Sequence, residues 1–118
     1  MKFLKGGEIS EYTIQKMVVS YLNLLKVGHA VIKIDNEGSK GRGKAGLGLR
    51  PGASDIFIAR GRHGKFGFWL ELKSKKGVLK PNQLKFFEDM ERENYYTAVA
   101  WSFDEAKDHI DWYLLEKD

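Results

Sequence analysis

The chain contains no cysteine. That excludes disulfides, thiolate zinc sites and cysteine nucleophiles together, and it fits a reducing cytoplasm, the location expected here. No apolar stretch reaches the roughly 18 residues of a membrane span. No signal-type apolar segment precedes the first charged and polar residues, so no membrane partner is expected. The three histidines, His29, His63 and His109, are scattered and lack metal-ligand spacing. They read as surface or capping residues, and no Ser-His-Asp arrangement can be assembled around them. What is present is ordinary for a soluble globular protein: 118 residues, 42% hydrophobic and 31% charged, with a net charge of +4. That is enough chain for one domain with a real core, expected to span 1–118. A mild positive excess is compatible with nucleic acid.

The periodicity predicts an α/β fold: a small mixed sheet flanked by helices, in the order α-β-β-β-α-β-α. Ile14, Met17, Val18, Tyr21 and Leu25 recur at helical spacing between Glu8 and Val27, with the end of that helix placed near Gly28. Ala30 to Ile34 is short, β-branched and expected as a strand. Asp55 to Ala59 and Phe66 to Lys73 predict a hairpin around the turn Arg60 to Lys65. Pro81 stands where a first helical turn begins, and Leu84, Phe87 and Met90 carry that helix to about Asn94. Tyr96 to Trp101 predicts another strand. Ser102 and Glu105 form a capping box for a last helix with Ala106, Ile110 and Tyr113 inward. Trp69, Trp101, Trp112, Phe86 and Phe87 are expected mainly in the core.

Asp55 and, sixteen residues on, Glu71-Leu72-Lys73 carry the chemistry. Side chains alternate along a strand, so Glu71 and Lys73 share a face at roughly 7 Å between Cα atoms. Trp69 shares that face; Phe68, Leu70 and Leu72 take the other. Asp55, at the start of the neighbouring strand, would lie beside them. Hard cations such as Mg²⁺ take oxygen ligands, often one or two carboxylates plus water and phosphate. Asp55 and Glu71 would supply these, with the Leu72 backbone carbonyl as a third. Lys73 would orient an attacking water or neutralise charge on phosphate. The competing account is a plain ion pair at a strand end. A second Glu-x-Lys, Glu105 to Lys107, lies on an expected helix, where residues two apart diverge. On the first helix Glu11, Gln15, Val18 and Leu22 fall on one face, which brings Glu11 to the core side at the helix start. Gln83 lies three residues after Lys80, where it serves either a helix cap or a phosphate or water.

Asn36 to Gly52 is a long, glycine-rich, basic loop. Gly41 to Gly46 matches G-x-G-x-x-G, but it continues into Leu47 to Gly52 and opens no helix, so a dinucleotide site is rejected. Lys40, Arg42, Lys44 and Arg50, without an acidic residue after Glu37, read either as a solvated loop or as a DNA-backbone arm beside Asp55. Arg62 and Lys65 add positive charge at the hairpin tip, as a second DNA contact or a polar turn.

Together these residues resemble a known family. Glu11-x-x-x-Gln15, Pro51-Gly-Ala-Ser-Asp55, Glu71-Leu72-Lys73 and Gly77-x-Leu79-x-Pro81-x-Gln83 follow the order and spacing of a stand-alone VRR-NUC domain of the PD-(D/E)xK nuclease superfamily. The resemblance covers about Glu11 to Ile110. It implies a restriction-endonuclease-like fold and metal-dependent DNA cleavage with Mg²⁺ or Mn²⁺. Asp55 and Glu71 would bind metal, Lys73 would assist the nucleophile, Glu11 would add to the metal site, and Gln83 would support it. Stand-alone relatives resemble junction-resolving homodimers, which makes branched DNA, such as a four-way (Holliday) junction, the expected substrate. The small size of one domain also argues for a dimer. The alternatives are a non-catalytic nucleic-acid-binding module and a flap or restriction-type nuclease. One departure is visible. The family has a compact Gly-x-Pro-Asp, whereas here proline precedes glycine and two small residues stand before Asp55. Lys80, preceding Pro81, is a poor N-cap.

Overall fold

The amphipathic stripe near the start of the chain folds as helix α1, Glu11–Leu24. Ser10 caps it, its hydroxyl accepting the Thr13 N–H at 3.1 Å, and Ile14, Val18 and Leu22, four residues apart, are buried. The helix ends before the expected Val27 because Lys26 adopts a left-handed φ of 64°. The Lys26 and Val27 amides then turn back onto the Asn23 and Leu22 carbonyls, a closure that glycine usually serves. A single 3₁₀ turn, Gly28–Ala30, follows. This is a computed structural model that describes residues 9–34 and 50–117.

Among the described residues four strands follow: β1 Val31–Lys33, β2 Ile56–Ile58, β3 Phe68–Leu72 and β4 Tyr96–Ala100. Helix α2, Pro81–Arg92, lies between β3 and β4, and α3, Phe103–Leu115, comes last. Apart from the 3₁₀ turn, this is the expected order. The spatial order is β1-β2-β3-β4. The first two pairings are antiparallel and the third is parallel. A parallel pair needs a crossover, which α2 provides.

The strands have opposite characters on their two faces. Ile56, Ile58, Phe68, Leu70, Leu72 and Ala100 are fully buried, in one core cluster with Ile14, Val18 and Leu22 of α1 and Ala106, Ile110 and Tyr113 of α3. The other face of β3 begins with Trp69, whose ring meets Phe57 at 4.4 Å and stands edge-on to Phe86 of α2 at 4.9 Å. Thus α1 and α3 cover one face and α2 the other. Ser102 caps α3 through the Glu105 N–H. The Glu105 carboxylate returns to the Trp101 N–H at 2.8 Å rather than to the cap residue itself.

Between β2 and β3 the chain reverses tightly. Arg62 and Lys65 form a bridge pair, with His63 (φ 55°) and Gly64 (φ 73°) between them. Two successive positive φ values define the type I′ turn that suits strand twist. This tip docks on the end of α3. The His63 ring stacks on Trp112 at 4.1 Å, and its Nε2 bonds the Trp112 carbonyl at 2.9 Å. Trp112 therefore sits outside the core, 43% exposed, contrary to its sequence expectation.

Candidate active site

The register of β2 and β3 builds the site. Ile56 pairs with Leu70 and Phe57 with Trp69, so one step further Asp55 stands opposite Glu71. Both belong to the Phe57 and Trp69 face, as does Lys73. The Asp55 carbonyl accepts the Ile34 N–H at 2.8 Å, which ties its backbone to the end of β1. Its Oδ2 accepts the Leu72 N–H at 2.8 Å. A strand residue sends its amide and carbonyl to the same side, so the Leu72 carbonyl also leaves β3 on the side of Asp55. Lys73 Nζ lies 3.3 Å from Glu71 Oε2, and both residues are buried. Lys73 donates its own N–H to the Ala100 carbonyl, which locks this end of β3 to β4.

Gln83 takes the helix-cap role and also contacts Glu71. Its Oε1 accepts the Lys80 N–H at 2.9 Å, closing the first turn of α2 where the lysine side chain supplies no cap. Its Nε2 donates to Glu71 Oε2 at 3.1 Å. One amide therefore fixes the start of α2 and the orientation of the Glu71 carboxylate.

Electrostatics make this a strained pair of acids. Burial first, and then the Asp55 charge, push Glu71 up to about 8, against the pull of Lys73. Burial likewise raises Asp55 to about 6, although the Leu72 N–H favours its ionised form. Glu11 on α1 adds negative potential at both carboxylates. It is not close enough to complete a metal-ligating group: among the described residues no three His, Asp or Glu side chains form one. Glu71 Oε1 is buried without a hydrogen-bond partner. An unsatisfied acceptor in a pair that resists ionisation is the environment a divalent cation relieves. Asp55 and Glu71, with water and phosphate oxygens, fit the donor set of Mg²⁺ or Mn²⁺.

Lys33 was missed in the sequence. It is exposed at the end of β1, paired with Ile56 next to Asp55, and its charge favours the Asp55 carboxylate. Only knowing that β1 borders β2 would have pointed to it.

The stretch that departs from the family pattern has a definite shape. The Ala53 N–H returns to the Arg50 carbonyl at 3.2 Å, and Gly52 has a φ of 92°. With Pro51 and Gly52 at its centre this is a type II turn. A Cβ on Gly52 would meet the Asn82 carbonyl oxygen at 2.5 Å, so the turn rests directly on the first turn of α2. Arg50 is held there as well, by Asp89 at 2.7 Å and over the Phe86 ring at 5.2 Å.

The remaining basic candidates divide. Lys40, Arg42 and Lys44 lie outside the described residues. Arg62 and Lys65 are not brought to the carboxylates. A hairpin puts its turn at the opposite end from Asp55 and Glu71, about 20 Å away along β3. There Arg62 donates to the Tyr113 carbonyl at 3.0 Å and to that of Glu116, closing the end of α3. Lys65 bonds Asn94 Oδ1 at 3.3 Å.

This architecture, with acidic residues at the ends of central strands and helices on both faces, is the restriction-endonuclease-like α/β fold. The chain is similar to a solved structure described as a VRR_NUC domain protein, with a TM-score of 0.81 and 22% sequence identity, over 98% of this chain and 94% of that one. The VRR-NUC fold implied by the sequence resemblance is thereby borne out. No family model and no curated protein matches the sequence. Among the described residues no helix is long and apolar enough to cross a membrane.

Proposed function

We propose that this protein is a metal-dependent DNA endonuclease acting on branched DNA. The observation that carries the reading is the convergence of Asp55, Glu71 and Lys73, with a buried Glu71 oxygen lacking any partner. The VRR-NUC fold supports it. Asp55 and Glu71 would hold Mg²⁺ or Mn²⁺, with the Leu72 carbonyl as an additional oxygen and Glu11 adding to the negative field. When bound, the ion supplies positive charge beside the scissile phosphate.

The chain's own residues do the rest. Lys73, buried beside Glu71, orients the attacking water and offsets negative charge that builds on the phosphate oxygens. Gln83 fixes the orientation of the Glu71 carboxylate through its amide. Lys33 adds positive charge at the other side of Asp55. Lys40, Arg42, Lys44 and Arg50 contact the DNA backbone, each phosphate contact steepening the salt dependence by roughly 0.9 log unit per log unit of salt. A homodimer would present two such centres to the two strands of a junction.

The test uses labelled four-way junction, flap and linear duplex, each with Mg²⁺, Mn²⁺ or EDTA, and compares wild type with Glu71→Ala and Lys73→Ala. The expected result is metal-dependent cutting of branched DNA that both substitutions abolish. DNA binding without cutting under any metal condition would reduce the protein to a binding module. Equal cutting of linear duplex would remove the branched-DNA preference. Light scattering of the purified protein tests the dimer.

A further inference from the structure

The ends of β1, β2, β3 and β4 that carry Lys33, Asp55, Lys73 and Ala100 lie along one edge of the sheet. This follows from the pairings of Lys33 with Ile56 and Leu72 with Ala100, and from the Lys73–Ala100 hydrogen bond. Past the β4 end of this row lies a half-open cleft of about 470 Å³. Ile9 and Ile14 line one side, Trp101 and Phe103 another, and Lys75 and Glu105 stand among its polar groups. It lies next to the Lys73 end of the site, because Trp101 follows Ala100, whose carbonyl accepts the Lys73 N–H. Lys75 follows Lys73 by two residues, and Ile14 lies on the first turn of α1.

The walls are also held in place. The Trp101 indole donates to the Gly77 carbonyl at 2.7 Å, and its backbone N–H is held by Glu105. Phe103 stands edge-on to Tyr21 at 5.9 Å. Flat, fixed aromatic walls with an exposed ammonium beside them match the two parts of a nucleotide, the base and its phosphate.

We propose that this cleft receives an unstacked nucleobase of the substrate strand, adjacent to the phosphodiester held at Asp55, Glu71 and Lys73. The proposal rests on the nuclease reading and sharpens its substrate class. Trp101 and Phe103 contact the base, and Lys75 binds its phosphate. A base inside continuous duplex must be unpaired and unstacked before it can enter, whereas an unpaired base at a branch point enters at little cost. The cleft thus selects DNA with an unpaired nucleotide next to the cut.

The test first maps the cut with wild-type protein, then places 2-aminopurine at the unpaired position beside it. Glu71→Gln protein, expected to bind without cutting, is titrated with this branched DNA and with a matched continuous duplex. The fluorescence of 2-aminopurine is expected to fall on binding. Trp101→Phe should retain that quenching, and Trp101→Leu should lose it. Phe103→Leu and Lys75→Gln leave the Trp101–Gly77 bond intact. They should each weaken branched-DNA binding about tenfold, with little change for duplex. Quenching unchanged in both leucine variants, or equal loss of affinity for duplex and branched DNA, would overturn the cleft. Normal cleavage by wild type alongside either result leaves the nuclease reading standing. Wild-type protein that neither binds nor cuts any DNA overturns both.

Discussion

The Asp55 carboxylate accepts the Leu72 N–H at 2.8 Å. Asp55 immediately precedes β2, and Leu72 is the last residue of β3, so a side chain takes over where the backbone ladder between the two strands stops. One acid therefore closes the sheet and lines the site. The two duties separate by substitution. Asp55→Asn keeps an oxygen for the Leu72 N–H and should fold with near wild-type stability while losing cleavage. Asp55→Ala leaves a part-buried amide unpaired and should lose a further ~1–3 kcal/mol. Urea unfolding beside a cleavage assay resolves the pair.

Glu71 makes stability depend on pH. Its folded value is raised to about 8, chiefly by burial and then by Asp55, so the native state binds more protons than the unfolded chain above the ordinary value of 4.5. The favourable contribution is complete below about 4.5 and is lost as pH rises through about 8. Metal-free protein should accordingly melt at a lower temperature at pH 8.5 than at pH 6. Glu71→Gln should flatten that slope and raise the melting temperature at the alkaline end. A slope identical in both proteins would rule out Glu71 as its source. Metal binding displaces the same proton, so Mg²⁺ affinity should rise with pH from 6 to 8.

Lys73→Met removes the ammonium 3.3 Å from Glu71 while keeping a long side chain. Cleavage should fall by about 10²–10³-fold, the scale for losing one group that stabilises developing negative charge. Mn²⁺ binding, followed by calorimetry, should survive. Loss of metal binding together with activity would instead make Lys73 a support for the carboxylates alone.

Gln83→Glu and Gln83→Ala should fail differently. The glutamate keeps an oxygen for the Lys80 N–H but sets a second carboxylate against Glu71 Oε2. It should fold normally and cut poorly at neutral pH, with partial recovery as Mg²⁺ is raised. The alanine loses the cap, at about 1 kcal/mol, and frees Glu71. It should be less stable, with a smaller loss of cutting.

Arg62→Ala should lower stability by about 1 kcal/mol, because Tyr113 and Glu116 lose the donor that closes α3. Lying at the far end of the hairpin, it should leave cleavage intact. A reduced salt slope of DNA binding in this variant would assign Arg62 a phosphate contact after all.

Glu71 and Lys73 could be read from the sequence because alternation along an apolar strand is a local property, and so could α3 from Ser102 and its inward residues. Lys33, the Leu72 amide and the docking of His63 on Trp112 could not. Each depends on which strands are neighbours or on contacts between residues some 50 apart, and neither is written in local periodicity. The early end of α1 had a different cause, since Lys26 adopts a backbone conformation for which its side chain gives no signal. The location of Arg62 and Lys65 was available in principle. A hairpin joining Asp55 to Glu71 necessarily points its tip the other way.

The turn at Arg50–Ala53 also acts as a mechanical stop. Arg50 is clamped to Asp89 and Phe86, and Gly52 rests on the backbone of Asn82. The turn before Asp55 is thereby indexed to α2, as the Ile34 bond indexes Asp55 to β1. A change of chain length before Arg50 meets this clamp before it reaches Asp55.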